Sequence, residues 1–284
     1  MKKYILNFTT KVLFISFFAI YFMGKSQIKV TYEVTYKPDS TSQDTNTEQM
    51  ALKIQDQTSY FYNETKFQLD SIYEKATREY SRTGVQPNIP LKYELIFGIY
   101  KDLKNNEVWE IKNVNSKHFA YPIDIPHLKW TISDETQQKY GYTLKKANTH
   151  FAGRDWVAWY APELPINNGP YKFQGLPGLI LELFDSKNDY IFNTISIVNF
   201  KDQVKLPKGF IKTTKEKYND FVDKLVADPA LSIRESISRR KNFKMTINGQ
   251  SISNNEFYDK ITNEFNEFKN SHNNPIEKHV LWIR

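Results

Sequence analysis

Apolar and polar residues alternate across Ile28, Val30, Tyr32, Val34 and Tyr36, with Lys29, Thr31, Glu33 and Thr35 between them. A period of two places the apolar side chains on one face of an extended chain, so the stretch predicts a half-buried strand. Residues 38–48 contain no large apolar residue and predict a solvent loop. Met50, Leu52 and Ile54 alternate again and Ser59 to Tyr62 predicts a further strand, so the chain opens on an antiparallel hairpin. From Asn63 the period turns helical. Leu69, Ile72, Tyr73, Ala76 and Tyr80 recur at helical spacing and Gly84 is suited to a stop, which predicts a helix over 64–82.

Short β-rich runs follow: Tyr93 to Ile99, Glu107 to Val114, Lys117 to Tyr121, Leu128 to Ser133 and 144 to 160. Leu179 to Phe184 and Tyr190 to Val198 read as a hairpin closed by the four residues Ser186 to Asp189. Brief turns between successive strands favour an antiparallel meander over βαβ units. Thr213 three before Glu216, and Ser253 three before Glu256, have capping-box spacing, and each precedes an apolar stripe, so two C-terminal helices are predicted. The expected fold is α+β, a mostly antiparallel sheet with one helix after the first strands and two at the C-terminal end. Without a long linker or a repeat, it forms one domain over 27–284.

The N-terminal residues change the picture of charge and location. Lys2, Lys3 and Lys11, the apolar run Val12 to Met23, and small residues at Gly24 and Ser26 describe a cleavable secretory signal over residues 1–26. Export to the periplasm, the outer membrane or the exterior is the expectation, with no transmembrane segment left after cleavage. Removing the four lysines of that segment lowers the net charge from +7 to +3. The basic cluster of Arg234, Arg239, Arg240, Lys241 and Lys244 then reads as a solvated face, and no nucleic-acid partner is expected. The chain has no cysteine, which excludes disulfides and thiolate chemistry.

Residues 153–185 concentrate turn signals between aromatics and a wholly apolar strand. Gly175-Leu176-Pro177-Gly178-Leu179-Ile180, preceded by Trp159-Tyr160-Ala161, Pro165-Ile166 and Gly169-Pro170-Tyr171 and followed far downstream by Asn274-Pro275-Ile276-Glu277, resembles the GLPGLI family of exported Bacteroidota proteins. The resemblance implies an exported protein often encoded near TonB-dependent outer-membrane receptors, with no catalytic residue to carry over. The strand order is similar to the curved half-barrel sheets of lipoprotein-carrier-like proteins. In the string itself, Gly175 and Gly178 permit a positive φ or close backbone approach, and Leu179 to Leu181 are apolar on both faces.

Chemistry is sparse by comparison. His118, His127, His150, His272 and His279 show no metal-ligand spacing, no cofactor motif is present, and no Gly-x-Ser-x-Gly nucleophile pattern occurs in the mature chain. Glu163, Glu182 and Asp185 beside the motif read as solvated rim. Trp156 and Trp159, three apart, fall on opposite strand faces. The candidate binding residues are therefore Trp159, Tyr160, Gly175, Pro177 and Gly178, with no catalytic or metal residue assigned. The leading expectation is a non-catalytic binding or accessory protein of the envelope, engaging a small apolar ligand, a lipid or an outer-membrane receptor. A periplasmic hydrolase and a purely structural receptor partner are the alternatives.

Overall fold

Strand β1 (Gln27–Tyr36) lies near the middle of the sheet, with Val30, Tyr32, Val34 and Tyr36 buried. The computed structural model describes residues 27–84, 93–115, 117–239, 245–247 and 250–283. The expected signal over residues 1–26, and Arg240, Lys241 and Lys244, fall outside the described residues. β1 pairs antiparallel with β2 (Asn46–Gln55), and β3 (Thr58–Asn63), β4 (Phe97–Asp102), β5 (Glu107–Val114) and β6 (Lys117–Pro122) continue the meander. β2 begins inside the expected loop. No apolar side chain announces it, because its inward group is the Glu48 carboxylate, which accepts hydrogen bonds from Tyr36 Oη (2.5 Å), Asn63 Nδ2 (2.5 Å) and the Glu94 N–H (2.7 Å).

Helix α1 (Glu64–Thr83) follows β3, capped by Asn63 at its start and by Gly84, at φ 73°, at its end. Its predicted apolar stripe is mostly uncovered. Leu69 is buried, while Ile72, Tyr73 and Tyr80 are 42%, 50% and 50% exposed. Helical spacing shows that a face is amphipathic but not that anything packs on it.

On the other side of β1 the order runs β11 (Tyr190–Asn199), β10 (Leu179–Asp185), β9 (Arg154–Ala161), β8 (Tyr142–Phe151) and β7 (Thr131–Lys139), all antiparallel. The apolar residues that suggested a strand at 128–133 belong partly to the link before β7, where Leu128 and Trp130 pack on the core, and β7 itself is a polar, exposed edge. The β10–β11 hairpin has the predicted four-residue connection. A two-residue β12 (Ile211–Lys212) adds parallel to β6, giving a twelve-stranded open sheet.

The sheet cannot be flat. β6 and β7 are ten strand positions apart, roughly 48 Å at ordinary spacing, whereas the nine residue steps from Pro122 to Thr131 reach at most about 32 Å. Side-chain contacts agree: Gln137 and Lys139 of β7, with Tyr140 beside them, reach the carboxylate of Glu182 on β10. The link's Ile123, Ile125, Leu128 and Trp130 pack against the main core.

After β12 come α2 (Lys215–Ala227), α3 (Leu231–Ser238), the small hairpin β13 (Met245–Ile247) and β14 (Gln250–Ile252), and α4 (Asn254–Ser271). Ser253 caps α4 as predicted, but α2 is capped by Thr214, not Thr213. α3 and the β13–β14 hairpin were not predicted; α3 has no side-chain cap to announce it. Among the described residues no helix is long and apolar enough to cross a membrane.

Candidate functional site

The segment from 162 to 178 leaves β9, crosses the sheet's inner face and returns as β10, which is buried on both faces except at Phe184. The two motif glycines serve different needs. Gly175 adopts φ 101°, a region that side chains disfavour. Gly178 does not, but a Cβ there would lie 2.3 Å from the Ala161 carbonyl oxygen. Trp130 fastens the turn from the β6–β7 link by donating from Nε1 to the Gln174 carbonyl at 2.8 Å.

The five candidate binding residues are not gathered into one concavity. Tyr160 is 2% exposed and Gly178 is buried, both belonging to the core, while Gly175 and Pro177 are exposed at the turn. Trp159 is half-buried on the face opposite Trp156, with Lys146 Nζ 6.0 Å from its ring centroid. Of the three acids expected at the rim only Glu163 is exposed. Glu182 and Asp185 are buried, at 6% and 1%, because each carboxylate has dedicated donors that replace water.

Those donors reveal what the sequence did not. Arg154, at the start of β9, has a side chain 1% exposed and uses all five N–H groups. Nη1 binds Asp185 and Asp189, each at 2.9 Å, while Nη2 binds the Asn274 side chain (2.6 Å) and the Pro275 carbonyl (2.8 Å), and Nε binds the Ile276 carbonyl (3.1 Å). One residue further, Glu277 accepts from Tyr171 Oη (2.7 Å) and from Lys172 Nζ (2.6 Å), and Lys172 also binds Glu110 (2.9 Å). Asn274-Pro275-Ile276-Glu277 therefore docks onto the 153–185 segment. The two parts of the sequence resemblance are one physical unit, and the signal that could have exposed it was the pairing of a lone arginine in the β8–β9 turn region with that short tail motif.

Electrostatics favour the ionised form of the two carboxylates that Lys172 binds. Burial alone would raise the Glu110 carboxyl, but Lys112 and Lys172 outweigh it and hold it at about 2. Glu277 shows the same contest, with burial opposed by Lys172 and the net direction downward.

A cleft of about 670 Å³ opens above the cluster, between the β4–β5 turn, the β6–β7 link, the start of α2 and the tail. Lys172 and Glu277 line its floor, and Trp109, Phe151, Asp124, Glu216 and His279 are among its walls. His279 Nε2 lies 3.5 Å from Glu277 Oε2. The recess beside Tyr171 and Trp282 is far smaller, about 50 Å³. Among the described residues no cluster of three or more His, Asp or Glu side chains is arranged to hold a metal ion.

Comparison with known proteins adds the following. No curated protein matches the chain. Two crystal forms of PNGF-II, in space groups P21 and C2, align with TM-scores of 0.47 and 0.48 at 16% and 18% identity. The alignments cover 69% and 70% of this chain and 33% of each PNGF-II chain, so this chain matches about a third of the length of those proteins. A family described as "Protein of unknown function (Porph_ging)" matches residues 152–182, the span from the β8–β9 turn through the Gly175–Ile180 string to Glu182.

Proposed function

We propose that the protein is an exported accessory protein of the cell envelope, of the GLPGLI type, that binds a partner and does not turn over a substrate. The observation that carries this reading is the open cleft floored by Lys172 and Glu277, where the buried motif network meets a large recess. Its acids, Glu107, Asp124, Glu216 and Glu277, outnumber Lys172 and Lys215, and Lys172 is already paired. A basic or hydroxyl-rich segment of an outer-membrane receptor fits that charge. A lipid or small apolar ligand held inside a half-barrel is less well supported, since ligand cavities run to about 300–1,000 Å³ and the recess beside Tyr171 and Trp282 holds about 50 Å³.

The test is purification from the native envelope after crosslinking, with wild type compared against Trp109→Ala and Glu216→Gln. The partner recovered with wild type should be lost from both variants while their melting temperatures stay unchanged. Recovery unaffected by either change would move the binding surface elsewhere.

A hydrolase is the second reading, favoured by the His279–Glu277 contact in the cleft. Measurable turnover on an envelope substrate panel, abolished by His279→Ala, would establish it and overturn the accessory reading.

A further inference from the structure

A second groove lies on the outer face of the sheet, distinct from the acidic cleft. It holds about 310 Å³ between the first turn of α1 and the 207–210 loop, with Gly98 of β4 in its lining. Gly98 lets the Tyr60 ring pack directly over β4, since a Cβ there would meet that ring at 3.1 Å. Aromatic rings stand on both sides. Tyr60 and Tyr62 stack with centroids 5.0 Å apart, Phe67 meets Tyr62 edge-on at 5.7 Å, and across the groove His118 and Phe210 form a perpendicular pair at 6.1 Å.

Among the described residues that line the groove the charges are of one sign. Lys66 and Lys208 line the groove, and no Asp or Glu among the described residues does. Lys208 is exposed on its loop, and the Asn113 and His118 side chains, 2.5 Å apart, add polar groups at the edge. Aromatic faces suit the C–H face of a sugar ring, the exposed Lys208 suits a carboxylate, and the amide and imidazole suit hydroxyls. The volume is at the low end of small-ligand sites, enough for one or two rings.

We propose that this groove binds an acidic saccharide of one or two rings, a uronic-acid unit stacked on the aromatic walls with its carboxylate toward Lys208. The proposal stands on this groove alone and does not depend on the accessory reading of the acidic cleft.

Calorimetric titration with digalacturonate, its neutral counterpart galactobiose, and benzoate tests it. Digalacturonate should bind about tenfold tighter than galactobiose, a difference of about 1.4 kcal/mol, and the gap should shrink with added salt. Lys208→Gln, at an exposed loop position, should leave the melting temperature unchanged and bring the two saccharides to within about twofold. Phe210→Ala should weaken both saccharides together. The proposal is overturned if digalacturonate does not bind at millimolar concentration, if Lys208→Gln leaves the preference intact, or if benzoate binds as tightly, which would make the site one for aryl acids.

Discussion

Arg154 and Asn274 are 120 residues apart in sequence and are joined by a 2.6 Å hydrogen bond between buried side chains. The same guanidinium neutralises Asp185 and Asp189 and takes two tail carbonyls, so a single side chain connects the β8–β9 turn, the β10–β11 loop and the C-terminal segment.

Arg154→Met should cost about 3–5 kcal/mol, because it leaves two carboxylates buried without their counter-ion. Arg154→Lys should recover less than half of that loss, since an ammonium has three donors and no planar fork to reach five acceptors. Urea denaturation measures both. A wild-type midpoint for the Met variant would mean that the tail is held by other contacts.

Gly178→Ala should be the most damaging change in the motif, because the added Cβ would collide with the Ala161 carbonyl and separate β10 from β9. Gly175→Ala should lose about 1–3 kcal/mol to its unfavourable φ. Pro177→Ala, at an exposed position, should stay within about 0.5 kcal/mol. Thermal unfolding of the three variants gives the order directly, and any other order refutes the distinct roles assigned to the two glycines.

Lys101 is 2% exposed and meets only neutral acceptors, Asn168 Oδ1 at 3.1 Å and the Phe173 carbonyl at 3.4 Å. Burial pulls its ammonium down from 10.5 to about 7. Between those values the unfolded chain binds more protons than the folded one, so this residue makes stability rise with pH across that window, and its penalty is fully present below pH 7. Lys101→Met should therefore stabilise the protein at pH 6 to 7, with the advantage shrinking toward pH 10. Unfolding midpoints for both proteins across this range are the check. Parallel profiles would show that Lys101 keeps its proton in the folded state.

Thr214→Ala should cost about 1 kcal/mol by removing the cap of α2, and Thr213→Ala should cost little. The structure separates these neighbours because the Thr214 hydroxyl accepts from the Lys217 N–H at 3.3 Å. Equal losses would contradict the assigned helix start.

Strands whose inward positions are apolar, such as β1 and β10, were legible because burial writes itself into a period of two. The start of β2 was not, since Glu48 is an acid and only the folded chain supplies its donors. β7 was hidden for the opposite reason: as an edge strand it buries no apolar side chain, so its sequence carries no period. The motif turn could be read from its glycines and proline. Its function could not, because Arg154, Lys172 and Glu277 become partners only through contacts spanning more than a hundred residues. The uncovered face of α1 marks the same boundary, where pattern describes a surface and not its neighbour.

The tail's place in the core also sets a schedule for assembly. Until residues 274–277 have been synthesised, Arg154 lacks three of its five acceptors and Lys172 lacks one of its two carboxylates. A chain lacking those residues therefore has all twelve strands of the large sheet in hand while its central guanidinium and ammonium are still short of acceptors.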